Sequence, residues 1–117
     1  MNDLTIYHNP KCSKSRETLA LLQARGVEPR IIEYLKAPLA ATELRAIVGK
    51  LGIKAEHLVR KGEDIYKAKY AGKTLTEAQW IDAMVRNPIL IERPVVVRGT
   101  KAVIGRPPEN VLALLKP

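Results

Sequence analysis

Residues 4–34, LTIYHNPKCSKSRETLALLQARGVEPRIIEY, contain the pattern from which the architecture is predicted. Residues 4–8 alternate apolar and polar side chains and end at an Asn-Pro turn signal, which is typical of a strand. Helical spacing of apolar residues then predicts a helix over residues 13–25, with Gly26 placed to end it in the left-handed conformation. Residues 30–34 predict a second strand. Strand, helix and strand form a βαβ unit, so we expect the two strands to be parallel.

The following segment has a helical pattern. Apolar residues at i, i+3, i+4 and i+7 over residues 44–51 predict an amphipathic helix, which a glycine ends. Residues 56–70 predict short helical turns. Residues 76–79 have the sequence of a capping box that opens another helix, and Asn87-Pro88 ends that helix. We therefore predict a helical insertion over residues 39–88.

Strand signals return near the end of the chain. Two strand-like runs, Val95–Arg98 and Lys101–Ile104, flank Gly99-Thr100, which predicts a hairpin with a type II′ turn. Pro107-Pro108 then opens a last helix, with proline at a position where no amide donor is needed. The predicted order is βαβ, helical insertion and ββα, which gives a single α/β domain over residues 1–117 with a mixed four-stranded sheet.

Composition indicates an ordinary globular protein. The chain has 117 residues, of which 46% are hydrophobic and 27% charged, and both values are typical of one soluble domain. Neither a run of about 18 apolar residues nor a secretory leader is present, so we expect a cytoplasmic location without membrane attachment. A single cysteine cannot form an internal disulfide or a cysteine-rich zinc site.

The charge balance indicates an anionic ligand. Twenty Lys and Arg against twelve Asp and Glu give a net charge of +8, which attracts nucleic acids, phosphate-like oxyanions, acidic peptides or anionic lipids. Nucleic acid is disfavoured, because the cations are dispersed along the chain and aromatic residues, which would stack on bases, make up only 4%. The sequence contains no helix-turn-helix, zinc-finger or RNP-like motif.

The lone cysteine lies in an unusual position. Cys12 falls in the turn before a predicted helix, where free amide donors and the helix dipole favour an anion. Lys11, Lys14 and Arg16 add positive charge. Each effect favours the thiolate, so we expect the pKa of Cys12 to lie below its usual value of about 8.5. Position and charge alone leave open both a reactive thiol and a small buried hydrophobic residue.

The motif His8-Asn9-Pro10-Lys11-Cys12, followed by Ser15-Arg16, resembles the active-site loop of the glutaredoxin-coupled arsenate reductase family. The resemblance continues, in order, through residues 58–61, 87–94 and 105–107, and so spans most of the chain. It implies a thioredoxin-like fold with a helical insertion. A more basic loop and an early chain end resemble a shorter, housekeeping branch of the family, which leaves open whether arsenate is the physiological substrate and arsenic detoxification the role.

The resemblance also implies the residues of the site. Cys12 would be the nucleophile, and Arg60, Arg93 and Arg106 would bind the oxyanion. Arginine suits this task because it stays charged and grips two oxygens at once. Glutathione would be the thiol co-substrate and a glutaredoxin the redox partner, with no metal or bound cofactor. With a single cysteine in the chain, such a reaction needs external thiols.

The remaining residues of the motif would support the nucleophile. The resemblance assigns His8, Ser15 and Arg16 to the loop around Cys12, where they would stabilise the thiolate through hydrogen bonds or charge. It also implies a cis peptide bond before Pro94, facing the cysteine.

Other interpretations of the same residues stay open. Arg60-Lys61 is also typical of a solvated turn, His57 of a surface residue and Trp80 of a core residue. A monothiol glutaredoxin-like oxidoreductase would need Cys12 but not all three arginines. An Spx-like regulator that binds RNA polymerase would use a Cys-x-x-Cys switch, whereas here the second position is a serine.

Overall fold

The computed structural model describes residues 3–115, in which the chain forms two compact units. The sheet unit consists of the segments up to Ala37 and from Arg93 onward, and the helical unit consists of Pro38–Glu92. Within residues 3–115, no helix combines the length and the apolarity needed to cross a bilayer.

The sheet unit contains one mixed four-stranded sheet with the strand order β2-β1-β3-β4. Strand β2 runs parallel to β1, as predicted, whereas β3 is antiparallel to both β1 and β4. The strands are β1 (Leu4–Tyr7), β2 (Arg30–Ile32), β3 (Val95–Arg98) and β4 (Lys101–Ile104). Strand β2 is shorter than predicted, because the carbonyl of Glu33 accepts hydrogen bonds from Lys36 and Ala37 and so begins a turn.

Helix α1, Ser13–Ala24, connects the two parallel strands. It ends one residue before the predicted end, and Gly26 adopts the predicted left-handed conformation with a φ of 76°. Apolar side chains of α1, the sheet and the last helical segment form one core. Its buried members are Leu4, Ile6, Leu22, Val27, Val96, Val111 and Leu114.

The hairpin confirms the sequence prediction. Arg98 pairs with Lys101, and Gly99 has a φ of 60° while Thr100 does not have a positive φ, as a type II′ turn requires. The last segment, Pro108–Leu115, is helical as predicted but adopts the tighter 3₁₀ form.

The helical unit contains α2 (Ala41–Leu51), α3 (Asp64–Lys69) and α4 (Glu77–Arg86), with short 3₁₀ turns at Ala55–Leu58 and Pro88–Leu90. The predicted capping box opens α4: the amide of Gln79 donates to the hydroxyl of Thr76, and the amide of Thr76 donates to the side chain of Gln79. Trp80 is buried in the core and His57 is exposed, as expected for both.

The sheet unit has the element order and mixed sheet of the thioredoxin-like fold, with the helical unit inserted between β2 and β3. In this order the loop after β1 leads directly into α1. Any group at the start of α1 therefore lies at the carboxyl end of the central strand β1.

Candidate active site at the start of helix α1

The loop between β1 and α1 places Cys12 at the N-cap position of the helix. The amide of Cys12 donates to the carbonyl of Asn9 over 3.0 Å, and the amide of Lys11 donates to the side-chain oxygen of Asn9 over 3.0 Å. Asn9 thus shapes the loop through its backbone and its side chain. Its role was missed by the sequence analysis, although Asn before Pro is a turn signal.

His8 and Ser15 meet beneath the loop. Both residues are buried. The imidazole Nδ1 of His8 lies 2.6 Å from the hydroxyl of Ser15, which also accepts a 3.0 Å hydrogen bond from the amide of Asn9. This pair fixes the turn against the first turn of α1. Burial, together with the charge of Arg16, lowers the pKa of His8 and outweighs the opposite effect of Glu33, which favours the neutral imidazole.

The sulfur of Cys12 is half-buried. This burial by itself raises the pKa of the thiol, but hydrogen bonds and charges that favour the thiolate outweigh it. They come from the amide of Ser15, the guanidinium of Arg93, the charge of Arg106 and the amide of Lys14, and the net result is a lowered pKa. The shift has the direction that the helix position and the nearby charges predict.

Arg106 is one of the two cations that act on the sulfur. Its Nη2 donates to the Sγ of Cys12 over 3.3 Å, and its Nε donates to the carbonyl of Arg93 over 2.8 Å. The second hydrogen bond fixes the direction in which the guanidinium points.

Arg93 is the other cation. It is 7% exposed, and its guanidinium contributes to the lowered pKa of Cys12. The peptide bond that joins Arg93 to Pro94 is cis, as the resemblance implied. A second cis bond, between Arg106 and Pro107, was not anticipated.

The three basic side chains of the loop contribute differently from what was expected. Arg16 donates to the carbonyl of Pro10 over 3.0 Å and thereby braces the loop. The ammonium of Lys14 lies 3.6 Å from the carboxylate of Glu17, and Lys14 acts on the sulfur through its amide instead. Lys11 is exposed.

Arg60 belongs to the helical unit, where it forms two ion pairs. Its Nε lies 3.1 Å from Glu63 and its Nη1 lies 3.2 Å from Glu92. The amide of Arg60 donates to the carbonyl of Leu90, so both its backbone and its side chain are held. The side chain of Arg60 is 24% exposed, whereas Lys61 beside it is exposed.

Within residues 3–115, no group of three or more His, Cys, Asp or Glu side chains is arranged to hold a metal ion. The start of α1 places the sulfur of Cys12 among amide and guanidinium donors that favour its thiolate form. Such a site can attack an electrophile and hold the negative charge of an oxyanion close to the sulfur.

The fold and the site define a thioredoxin-like protein whose only cysteine lies at a helix N-terminus beside two arginines. The family model described as "ArsC family" matches residues 7–114 of the chain. The chain therefore belongs to the ArsC family.

Curated and solved relatives agree with this assignment. An arsenate reductase of Haemophilus influenzae is 46% identical over 94% of this chain and 97% of its own. An Escherichia coli K12 protein named only YfgD, without an assigned activity, is 53% identical over 94% of both chains. The solved structure of an arsenate reductase from Vibrio cholerae is 45% identical and has a TM-score of 0.91, covering 94% of this chain and 95% of its own.

Proposed function

We propose that this chain reduces arsenate to arsenite, with the thiolate of Cys12 as nucleophile and with glutathione and a glutaredoxin as the source of electrons. The observation that carries the proposal is the sulfur at the start of α1, 3.3 Å from the Nη2 of Arg106. The names of the Haemophilus and Vibrio relatives support arsenate as the substrate. We place the reaction in the cytoplasm, where thiols are kept reduced.

Two negatively charged reactants must meet in this reaction. Arsenate is an anion at neutral pH, so a thiolate can approach it only where fixed positive charge offsets the repulsion. Arg93 and Arg106 supply that charge beside the sulfur, and both carry it permanently. The amides at the start of α1, which favour the thiolate, would also donate to the arsenate oxygens as the sulfur–arsenic bond forms.

Arg60 is the third cation of the proposal. Its guanidinium pairs with Glu63 and Glu92, so an oxyanion that binds it must compete with two carboxylates. Its expected contribution is to substrate binding rather than to the ionisation of Cys12.

The proposed reaction begins at the sulfur of Cys12. The thiolate attacks arsenic, one arsenate oxygen leaves as water after protonation, and a sulfur–arsenic bond forms. The thiolate of glutathione then attacks the sulfur of Cys12, and the electrons of the sulfur–arsenic bond pass to arsenic, which leaves as arsenite. Arsenic gains two electrons and the two thiols lose one each, as the mixed disulfide forms. A glutaredoxin thiolate then attacks the glutathione sulfur, which releases the thiolate of Cys12 and leaves a glutaredoxin–glutathione disulfide that a second glutathione reduces.

A coupled assay tests the proposal. Purified protein is mixed with glutathione, glutaredoxin, glutathione reductase and NADPH, and we expect NADPH consumption that depends on arsenate. Cys12→Ser should reduce the rate by at least about a thousandfold, whereas Ser13→Ala, an exposed change at the next position, should leave it near wild type.

The same assay separates the other functions. Reduction of a glutathionylated test disulfide, with no stimulation by arsenate, would replace the proposal with a monothiol oxidoreductase. Binding to RNA polymerase without turnover of either substrate would replace it with an Spx-like regulator.

A further inference from the structure

We propose that Thr18 and Gly105 are positioning residues, which set the distance between the sulfur of Cys12 and the guanidinium of Arg106. The inference rests on the proposed function in assigning Cys12 and Arg106 to one site. It concerns a contact between helix α1 and the end of strand β4, neither side of which touches the sulfur. We call the packing of Thr18 against Gly105 and Pro94 the threonine–glycine contact.

The first half of the contact is the side chain of Thr18, which is completely buried. Its hydroxyl lies 2.8 Å from the carbonyl of Lys14 in its own helix and 3.3 Å from the carbonyl of Gly105. Thr18 follows Cys12 by six positions, a distance of about 9 Å along a rigid helix. The place where Thr18 docks therefore determines how far the start of α1 extends toward the arginines.

The second part of the threonine–glycine contact is Gly105, which has no side chain. A Cβ atom there would lie 2.6 Å from the hydroxyl oxygen of Thr18 and 2.9 Å from the Cγ of Pro94. Both distances are shorter than a carbon atom tolerates. The φ of Gly105 is not in the left-handed region, so lack of space rather than backbone conformation requires glycine at this position.

The contact is linked directly to both cations. The amide of Gly105 donates to the carbonyl of Pro94 over 2.9 Å, and these two residues are the immediate neighbours of Arg106 and Arg93 in the chain. The Nε of Arg106 in turn donates to the carbonyl of Arg93. These two hydrogen bonds join the segments that carry Arg93 and Arg106, and α1 packs against them through Thr18.

This arrangement bears on reactivity because the interaction of a guanidinium with a thiolate depends on their separation. A displacement of about 1 Å at a reacting centre can cost on the order of a hundredfold in rate. A Cβ at Gly105 has to push α1 or the arginine-bearing segment away, which lengthens the 3.3 Å contact between Arg106 and Cys12.

The test measures the ionisation of Cys12 directly. The rate at which iodoacetamide modifies the thiol is recorded against pH for wild type, Gly105→Ala, Thr18→Val and Thr18→Ser. We expect Gly105→Ala and Thr18→Val to raise the pKa of Cys12, with a thiolate fraction at pH 7 lower by roughly three- to tenfold. Thr18→Ser retains the hydroxyl and should titrate close to wild type.

A matched control separates positioning from simple loss of stability. Leu22 lies on the same helix and is also completely buried, but its side chain belongs to the apolar core rather than to the threonine–glycine contact. Leu22→Ala should lower the melting temperature and leave the titration of Cys12 unchanged. If Leu22→Ala shifts the titration as far as Thr18→Val does, the effect is one of stability and the proposal is wrong.

The titrations of Gly105→Ala and Thr18→Val also decide whether the proposal stands. If Gly105→Ala and Thr18→Val both titrate as wild type does, the proposal is wrong. If Gly105→Ala does not fold, Thr18→Val, which conserves volume, decides the question. Iodoacetamide reports on the thiol without arsenate. A wild-type protein that fails to reduce arsenate would therefore refute the proposed function while the titration still decides the role of Thr18 and Gly105.

Discussion

Arg106 lies in the sheet unit and Arg60 in the helical unit, and both are partly buried. Both belong to the motifs that resemble the arsenate reductase family, but their surroundings differ. Arg106 donates to the sulfur of Cys12 and to a main-chain carbonyl, whereas Arg60 donates to the carboxylates of Glu63 and Glu92. The carbonyl of Arg93 orients the guanidinium of Arg106 toward the sulfur, whereas two carboxylates offset the charge of Arg60. The family motif therefore predicts an arginine but not how much of its charge is available to an anion.

The contrast assigns the two arginines to different parts of the reaction. Arg106 already lowers the pKa of Cys12 in the absence of substrate, together with Arg93. In the proposed reaction, Arg60 would contribute once an oxyanion displaces one of the glutamates that pair with it. Measurements that separate the ionisation of the thiol from the binding of arsenate will therefore distinguish them.

Arg106→Lys should have the largest effect. A lysine ammonium cannot donate from two fixed positions as the Nε and Nη2 of Arg106 do, so the pKa of Cys12 should rise and kcat/KM for arsenate should fall by about 10²- to 10³-fold. Both are measured on the purified variant, by thiol titration and in the coupled assay.

The control for this variant is Arg98→Lys. Two nitrogens of Arg98 also donate hydrogen bonds, one to Asp3 and one to the carbonyl of Leu114. In the sheet, however, Arg98 lies opposite Leu4 at the start of β1, whereas Cys12 follows the other end of that strand. It should retain wild-type kinetics. Equal losses in the two variants would mean that Arg106 acts only through stability.

Arg60→Gln should have an intermediate effect, confined to binding. We expect the KM for arsenate to rise about tenfold, corresponding to about 1.4 kcal/mol, while the pKa of Cys12 stays at its wild-type value. Removing the shared cation from Glu63 and Glu92 should also lower the free energy of unfolding by about 1 kcal/mol. Steady-state kinetics and urea unfolding measure the two effects, and a shift in the Cys12 titration as large as that of Arg106→Lys would contradict the distinction between the arginines.

The pH dependence of stability tests the buried His8. Because burial lowers its pKa in the folded protein, the unfolded chain binds the proton more readily. The contribution of His8 to stability is thus complete above its unfolded pKa of about 6.5 and is lost as the pH falls through the lower, folded pKa. Urea unfolding at pH 7.5 and pH 5 should show a steeper loss for wild type than for His8→Asn. Parallel losses would show that His8 is not buried as a neutral group.

Lys14→Gln should have the smallest effect. The ammonium of Lys14 is exposed and pairs with Glu17, and the residue acts on Cys12 through its amide, which glutamine retains. We expect a change within about twofold in kcat/KM and within about 0.5 kcal/mol in the free energy of unfolding. A loss comparable to that of Arg106→Lys would show that exposed side-chain charge, rather than the amide, stabilises the thiolate.

Local signals in the sequence predicted most of the fold. Gly26, Gly52 and Gly99 adopt positive φ values where the pattern required them, and the capping box at Thr76 opens α4 as predicted. Each of these features depends on interactions among residues a few positions apart, which a sequence displays directly.

The parts that the sequence did not predict depend on distant contacts. Thr18 and Gly105 are 87 positions apart, and nothing in the helical pattern of α1 distinguishes Thr18 from other polar residues. The one available signal was Gly105 itself, since a glycine at a strand end without a turn to form often marks the close approach of another segment. Likewise, the motif placed Arg60 in the site but could not show that Glu63 and Glu92 hold its guanidinium.

The ionisation of Cys12 in the wild-type protein tests the central claim most directly. The chain contains a single cysteine, so the pH dependence of iodoacetamide modification reports on that thiol alone. A midpoint clearly below about 8.5, the value for a free cysteine, is the expected result. A midpoint at or above that value would show that the amides and arginines around the sulfur do not stabilise a thiolate, and the proposed reaction would lose its nucleophile.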